Sequence, residues 1–222
     1  LNLRKKLPDV KLHEHEAKKI LQENGLKIPE QGLEEEVNQY VLKAQVLANH
    51  RKEKGGIKFA KDRKEAEAIE QEMKGGRIDS QEVEKILVEE QIEFSKEYYV
   101  SFIYDTDTRK PAMIFSKQGG TGIEDRKASK LPLKDSSQFR FRQFLKEQGL
   151  EDKDIVKLGV TLQKLFKAFL EEDARLLEVN PLAKTEDGYV VLDAMMDLDD
   201  DASYRHDRDL PDRSDLGREK TS

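Results

Sequence analysis

An α+β fold is the architecture this 222-residue sequence predicts. The elements run helix, short strands around a second helix, three strands in succession, two helices and a closing hairpin. Two of the strands, Glu97 to Tyr104 and Ala112 to Ser116, flank the turn Asp105 to Lys110. That spacing makes an antiparallel meander. Strands and helices do not alternate one for one, as a doubly wound parallel sheet requires.

The composition is 39% charged and 36% hydrophobic, without Trp. Long charged helices produce such a profile without disorder, and the length is enough to bury a core as one domain or two small lobes. A net charge of -6 gives no reason to expect nucleic acid as a partner. The absence of Cys excludes disulfides and thiolate metal sites. No apolar run reaches the roughly 20 residues of a membrane span, and no signal peptide is visible. A soluble cytoplasmic protein with no membrane association is expected.

Residues 1–11 begin basic and pass through Pro8, and are read as an irregular N-terminal arm. From Leu12 to Asn24, Leu12, Ala17, Ile20 and Leu21 keep helical spacing, and Gly25 supplies the stop. A strand at Gln39 to Val46, a loop at Ala48 to Gly56 and a strand at Ile57 to Ala60 follow. Asp62 is placed to cap a helix through Lys74, with Ala66, Ile69 and Met73 on one face and Gly75-Gly76 ending it. Lys85 to Glu90 is a further strand before the meander, and Gly119-Gly120-Thr121-Gly122-Ile123-Glu124 is a flexible loop after it. Helices near Ser137 to Gln148 and Lys153 to Glu172 lead to the hairpin Leu176 to Ala194. Beyond Leu198 charges dominate, so 199–222 is read as a linker or solvated tail where a further domain was attached.

The hairpin carries the most chemistry. Asn180 and Asp193 lie almost symmetrically about the turn Thr185-Glu186-Asp187-Gly188, within about one residue of facing each other. Hard oxygens that close can share one Mg²⁺, which takes a few protein oxygens with water and phosphate. Glu178 has the same strand parity and is a weaker third participant. A hairpin that merely carries polar residues on its wet face is the competing reading. Lys43, flanked by Val41-Leu42 and Ala44, either snorkels to a sheet edge or faces an anion. The basic loop after it ends in Gly55-Gly56, and basic side chains beside free amides suit a polyphosphate as well as solvent. Glu89 and Glu90 close one strand and Glu97 begins the next, where carboxylates can bind ribose hydroxyls or simply face water. His13, His15, His50 and His206 lack zinc spacing and any nucleophile context.

Taken in order, these segments resemble the ATP-grasp part of the β subunit of ADP-forming succinyl-CoA synthetase and its acid–CoA ligase relatives. The likeness runs from about Leu12 to Leu210 through LHEHEAKKILQENGL, VLKAQV, RKEKGGIK, ILVEEQIEFSKEYYV, GGTGIE and LEVNPL…GYVVLDA with ASYRH. It implies an ATP-grasp fold over 12–198, with a smaller lobe at about 26–88 and a larger one from 12–25 and 89–198. It also implies that Lys43, Arg51, Gly55 and Gly56 serve the phosphates of ATP/ADP or GTP/GDP. Glu89 would lie at the adenine hinge, Glu97 at the ribose, and Asn180 and Asp193 would hold Mg²⁺. The implied reaction is acid + CoA + NTP to acyl-CoA + NDP + phosphate. Its implied partners are an α-type CoA-binding subunit carrying the phosphohistidine and a C-terminal flavodoxin-like domain, truncated here or encoded separately.

Two departures stand out. The family's phosphate loop is close to AGGRGKAGG, whereas Asn49, His50 and Lys52 replace glycines here. Met195 stands where the family often has Lys after the metal Asp. One alternative is a citrate-specific CoA ligase or ATP-citrate lyase subunit, a branch with a similar hairpin that the Gly188-to-Asp193 spacing fits. Another is a degenerate ATP-grasp module that acts as a binding or interaction domain, which the altered loop favours.

Overall fold

The computed structural model describes residues 10–34, 37, 39–48, 51–120, 128–134 and 137–206. Along the chain these form β1 (Val10–Lys11), α1 (Glu14–Glu23), β2 (Tyr40–Ala44), β3 (Ile57–Ala60), α2 (Arg63–Met73), β4 (Arg77–Ile78) and β5 (Gln81–Glu82). Then come β6 (Ile86–Glu90), β7 (Lys96–Asp105), β8 (Lys110–Ser116), β9 (Ser129–Pro132), α3 (Gln138–Glu147) and α4 (Asp152–Glu171). The hairpin strands β10 (Ala174–Thr185) and β11 (Gly188–Val191), then β12 (Ala194–Leu198) and a 3-10 helix (Asp200–Arg205), complete the order. Asn49, His50, Thr121 to Glu124 and the tail from Asp207 lie outside the described residues.

The larger sheet has the strand order β1-β12-β10-β7-β8-β9, with β11 also on β10, and every pairing in it is antiparallel. A three-stranded antiparallel sheet, β3-β2-β6, stands apart from it. Each sheet has its own core. Phe102, Phe141, Phe166 and Phe169 with leucines of α1 and α4 fill the first, while Tyr40, Leu42, Ala60, Ala66, Met73 and Val88 fill the second. Aromatic centroids 5.5 Å apart at Phe102–Phe166 and an edge-on Phe141–Phe166 pair at 6.1 Å are ordinary geometries for such a core.

Local chemistry places the helices as expected. His13 and Glu16 close a capping box on α1, with His13 N donating to Glu16 Oε2 at 2.8 Å. Gly25, at φ 75°, ends α1, and Leu26 N donates back to Leu21 O. Asp62 caps α2 by accepting from Glu65 N at 2.8 Å.

Three readings shift. Val10–Lys11, assigned to an irregular arm, pair with Leu198 and Asp197 of β12. Such an edge pairing depends on a strand from the far end of the chain. The segment after Leu198 is not solvated throughout. Asp200–Arg205 is a 3-10 helix, and Arg205 and His206 each bond Asp173 at 2.7 Å. Its two C-terminal basic residues share Asp173. Leu26 and Ile28 pack with the first core and Leu33 with the second, so the crossing between cores falls at residues 29–32. β6 stays in the smaller sheet through Glu90.

Candidate functional site

A buried cluster of six charged groups lies between α1, β2, β6 and the segment Leu192–Asp193. Glu14 and Lys18 sit one turn apart on the face of α1 that also buries Ala17 and Leu21. Lys43 comes from β2 and Glu89 from β6, whose Leu87 is the register partner of Lys43. The Lys18 ammonium donates to Glu89 Oε1 at 2.7 Å, Glu89 Oε2 at 2.6 Å and the Leu192 carbonyl at 2.7 Å, and pairs with Glu14 at 2.9 Å. Lys43 Nζ pairs with Glu14 at 2.7 Å and Glu89 at 2.9 Å, and also donates to the Leu192 carbonyl. Arg51 reaches Glu14 Oε2 at 2.7 Å, both oxygens of Asp193 at 3.0 and 2.9 Å, and the Ala44 carbonyl at 3.1 Å. Three carboxylates meet three cations, so formal charge balances.

Burial raises the Glu14 pKa, but Lys18, Lys43 and Arg51 outweigh it and hold the carboxyl well below the usual range. Burial also drives Lys43 down, and Glu14, Glu89 and Asp193 reverse it, leaving a strongly held ammonium. Lys18 is pulled down, by burial first and by Lys43 beside it, against the opposing carboxylates. Asp193 is pushed up by burial and by Glu14, against the pull of Arg51, with 31% of its side chain still at the surface.

A second constellation adjoins this cluster. β10 pairs with β12 up to Val179 and with β11 from Leu182, and the ladder is interrupted between, at Asn180 and Pro181. There Asn180 N donates to Asp193 O and Leu192 N to Pro181 O, both at 3.1 Å. The two residues thus face each other, as the spacing about the turn predicts. The Asn180 amide grips the start of the glycine loop: Gly120 N donates to its Oδ1 at 2.7 Å and its Nδ2 donates to Gly120 O at 3.2 Å. Glu97 packs on the same glycine, so that a Cβ on Gly120 would stand 2.8 Å from Glu97 Oε1. Lys96, Glu97, Lys117 and Gln118 line an open cleft of about 430 Å³.

Gly55 and Gly56 turn the chain from Arg51 into β3, with Gly56 N donating to Arg51 O at 2.7 Å. A Cβ on Gly56 would meet Ile78 Cδ1 at 2.8 Å and Arg51 O at 3.0 Å, so close packing demands glycine there. Glu178 accepts from the Tyr99 hydroxyl at 2.8 Å. His15 Nδ1 lies 2.9 Å from Gln45 Oε1.

Of the residues singled out from sequence, Lys43, Arg51, Glu89 and Asp193 come together, while Asn180 and Glu97 meet around Gly120. Glu89 is 1% exposed with both oxygens on lysines, so its carboxylate faces the cluster. Glu14 and Lys18 were missed. Their signal was present, because both fall on the apolar stripe of α1, where a solvated pair would not. Among the described residues no group of three or more His, Cys, Asp or Glu side chains is placed to hold a metal. An amide oxygen and a carboxylate, as Asn180 and Asp193 supply, are donor types that suit Mg²⁺ with water and phosphate; here Asn180 Oδ1 accepts from Gly120 N and both Asp193 oxygens face Arg51. Among the described residues no helix is long and apolar enough to cross a membrane.

Two antiparallel sheets meeting at a charged seam agree with an ATP-grasp domain, and the family model for that domain matches residues 11–184. The chain belongs to the ATP-grasp family. Among curated proteins it is similar to the β subunit of ADP-forming succinate–CoA ligase of Methanocaldococcus jannaschii, 41% identical over 217 residues, covering 89% of this chain and 59% of that protein. The chain thus spans somewhat over half the length of such relatives. Among solved structures it resembles dinucleotide-forming acetyl-coenzyme A synthetase 1 of Ca. Korarchaeum cryptofilum, with TM-score 0.67, 22% identity, and coverage of 85% of this chain and 93% of that one. It also resembles ATP citrate lyase of Methanothrix soehngenii, with TM-score 0.66, 19% identity, and coverage of 89% and 53%. These two likenesses concern the fold.

Proposed function

We propose that this chain is the nucleotide- and Mg²⁺-binding ATP-grasp part of an ADP-forming acid–CoA ligase of the succinate type. The observation that carries the reading is the convergence of Lys43, Arg51 and Asp193, from three separate segments, on the seam between the two sheets. The curated relative's name supports the choice of ligase.

In this reading Lys43 and Arg51 bind the nucleotide phosphates and offset the charge on the transferring phosphoryl group. Gly55 and Gly56 let the backbone approach closely, and Glu97 binds or supports the ribose. Glu89 anchors the hinge strand from inside. Asn180 and Asp193 hold Mg²⁺, which when bound neutralises phosphate charge. The phosphoryl group passes between nucleotide and a phosphohistidine on an α-type CoA-binding subunit, so this chain performs half of a shared reaction. A C-terminal flavodoxin-like domain belongs to the complete subunit.

A second reading, a degenerate module, draws on one observation: every N–H of Lys43 already faces a protein acceptor. Thermal denaturation with ADP and Mg²⁺ separates the two. The ligase reading expects a Mg²⁺-dependent rise in melting temperature that Asp193→Ala abolishes. No shift at millimolar nucleotide would sink it.

A further inference from the structure

We propose that Glu14 is an internal stand-in for nucleotide phosphate, and that Lys18 is the reserve counter-ion that lets Glu14 be displaced. This rests on the reading that Lys43 and Arg51 are the phosphate-binding cations.

The donors of Lys43 are saturated. An ammonium has three N–H groups, and those of Lys43 face Glu14, Glu89 and the Leu192 carbonyl. The Lys43 side chain is 8% exposed. Arg51 is engaged by Glu14, Asp193 and the Ala44 carbonyl. Phosphate therefore reaches the Lys43 ammonium only by displacing one of its three acceptors, and Arg51, whose Nη2 already bridges Glu14 and Asp193, has further N–H donors to offer the same phosphate.

Glu14 is the carboxylate arranged to be exchanged. It contacts both Lys43 and Arg51, one through each oxygen, at 2.7 Å, as two oxygens of one phosphate would. Glu89 touches the lysines and Asp193 pairs with Arg51, so Glu14 is the group that ties the two phosphate-binding cations together. A buried carboxylate released from both would be costly unless another cation held it. Lys18 holds it: its ammonium lies 2.9 Å from Glu14 Oε1 and within 2.7 Å of both Glu89 oxygens, and it is 0% exposed. When Lys43 and Arg51 turn to phosphate, Lys18 keeps both carboxylates paired. Nucleotide binding is then a ligand exchange within a preformed ionic cluster.

Two substitutions with opposite signs test this. Glu14→Gln keeps the shape and removes the competing charge. Lys18→Met removes the reserve cation, so Glu14 and Glu89 hold Lys43 and Arg51 more firmly. Titration calorimetry with ADP, with and without Mg²⁺, on folded protein should give about tenfold tighter binding for Glu14→Gln, equal to about 1.4 kcal/mol. Lys18→Met should bind about tenfold more weakly. If Lys18→Met does not fold, the charge-balanced double variant Glu14→Gln/Lys18→Met replaces it and should bind more tightly than wild type. Weaker or unchanged binding in Glu14→Gln overturns the proposal and leaves the cluster a structural one. Failure of wild type and all variants to bind ADP overturns the nucleotide reading itself, and the exchange with it. Binding by wild type with the wrong order of variants overturns the exchange alone.

Discussion

Replacing Lys18 by Met should destabilise the protein more than any conservative change on an exposed helix face. The ammonium is 0% exposed and makes four close contacts, at 2.7 and 2.6 Å to Glu89, 2.7 Å to the Leu192 carbonyl and 2.9 Å to Glu14. Met matches its length and apolar stem, so packing changes little and charge dominates. Without Lys18, the three carboxylates Glu14, Glu89 and Asp193 face the two cations Lys43 and Arg51, an excess of one buried negative charge. Breaking a buried ion pair by removing one partner costs about 3–5 kcal/mol. For a chain of this size that lowers the melting temperature by roughly 6–20 °C, at about 2–4 °C per kcal/mol. Calorimetry and urea denaturation of wild type and Lys18→Met measure it. The double variant Glu14→Gln/Lys18→Met restores neutrality and should recover much of the loss, a coupling that a double-mutant cycle reads directly. A loss below about 1 kcal/mol in the single variant would refute the account, because an ammonium so cheaply removed is not a buried counter-ion.

Gly56→Ala should cost about 1–3 kcal/mol in urea denaturation, since the new methyl meets Ile78 and the Arg51 carbonyl. It should also weaken ADP binding in calorimetry, because the same carbonyl begins the turn that aims Arg51. The acid limb of stability should be steep. The Glu14 pKa is held below its ordinary value of 4.5, so its contribution is complete above that pH and is lost as pH falls through it towards the folded value. Urea midpoints measured from about pH 7 to pH 3 should therefore fall more steeply for wild type than for Glu14→Gln. Parallel profiles would mean that Glu14 is not held ionised.

Much of this arrangement was legible before folding. The helical period of α1, the cap at Asp62, the meander about Asp105 to Lys110 and the symmetry of Asn180 and Asp193 are all local patterns. They depend on neighbours a few residues apart, and elementary backbone chemistry reads them. Lys43 between apolar residues left two readings open, a snorkelling side chain or one facing an anion, and only the fold sets it against Glu14 and Glu89. The edge strand Val10–Lys11 was not legible, because its partner Leu198 comes from the other end of the chain.

By itself, the sequence determined the order of the four helices and the longer strands, but not the short β1, β4, β5 and β9 or the strand β12. It also determined the antiparallel hairpin and the identity of the charged groups available to a phosphate and a metal. Tertiary structure alone decided how those charges are shared. Glu14 and Lys18 fall on the apolar stripe of α1, but which charges they meet is set only when β2, β6 and Leu192 close over them. Glu89, a strand-end glutamate in sequence, becomes a lysine-bound anchor with 1% exposure. The physical reason is that a charge has no meaning to a local pattern beyond its nearest neighbours. In a dry seam its energy is set by every opposite charge within a few ångströms, and those arrive from distant segments.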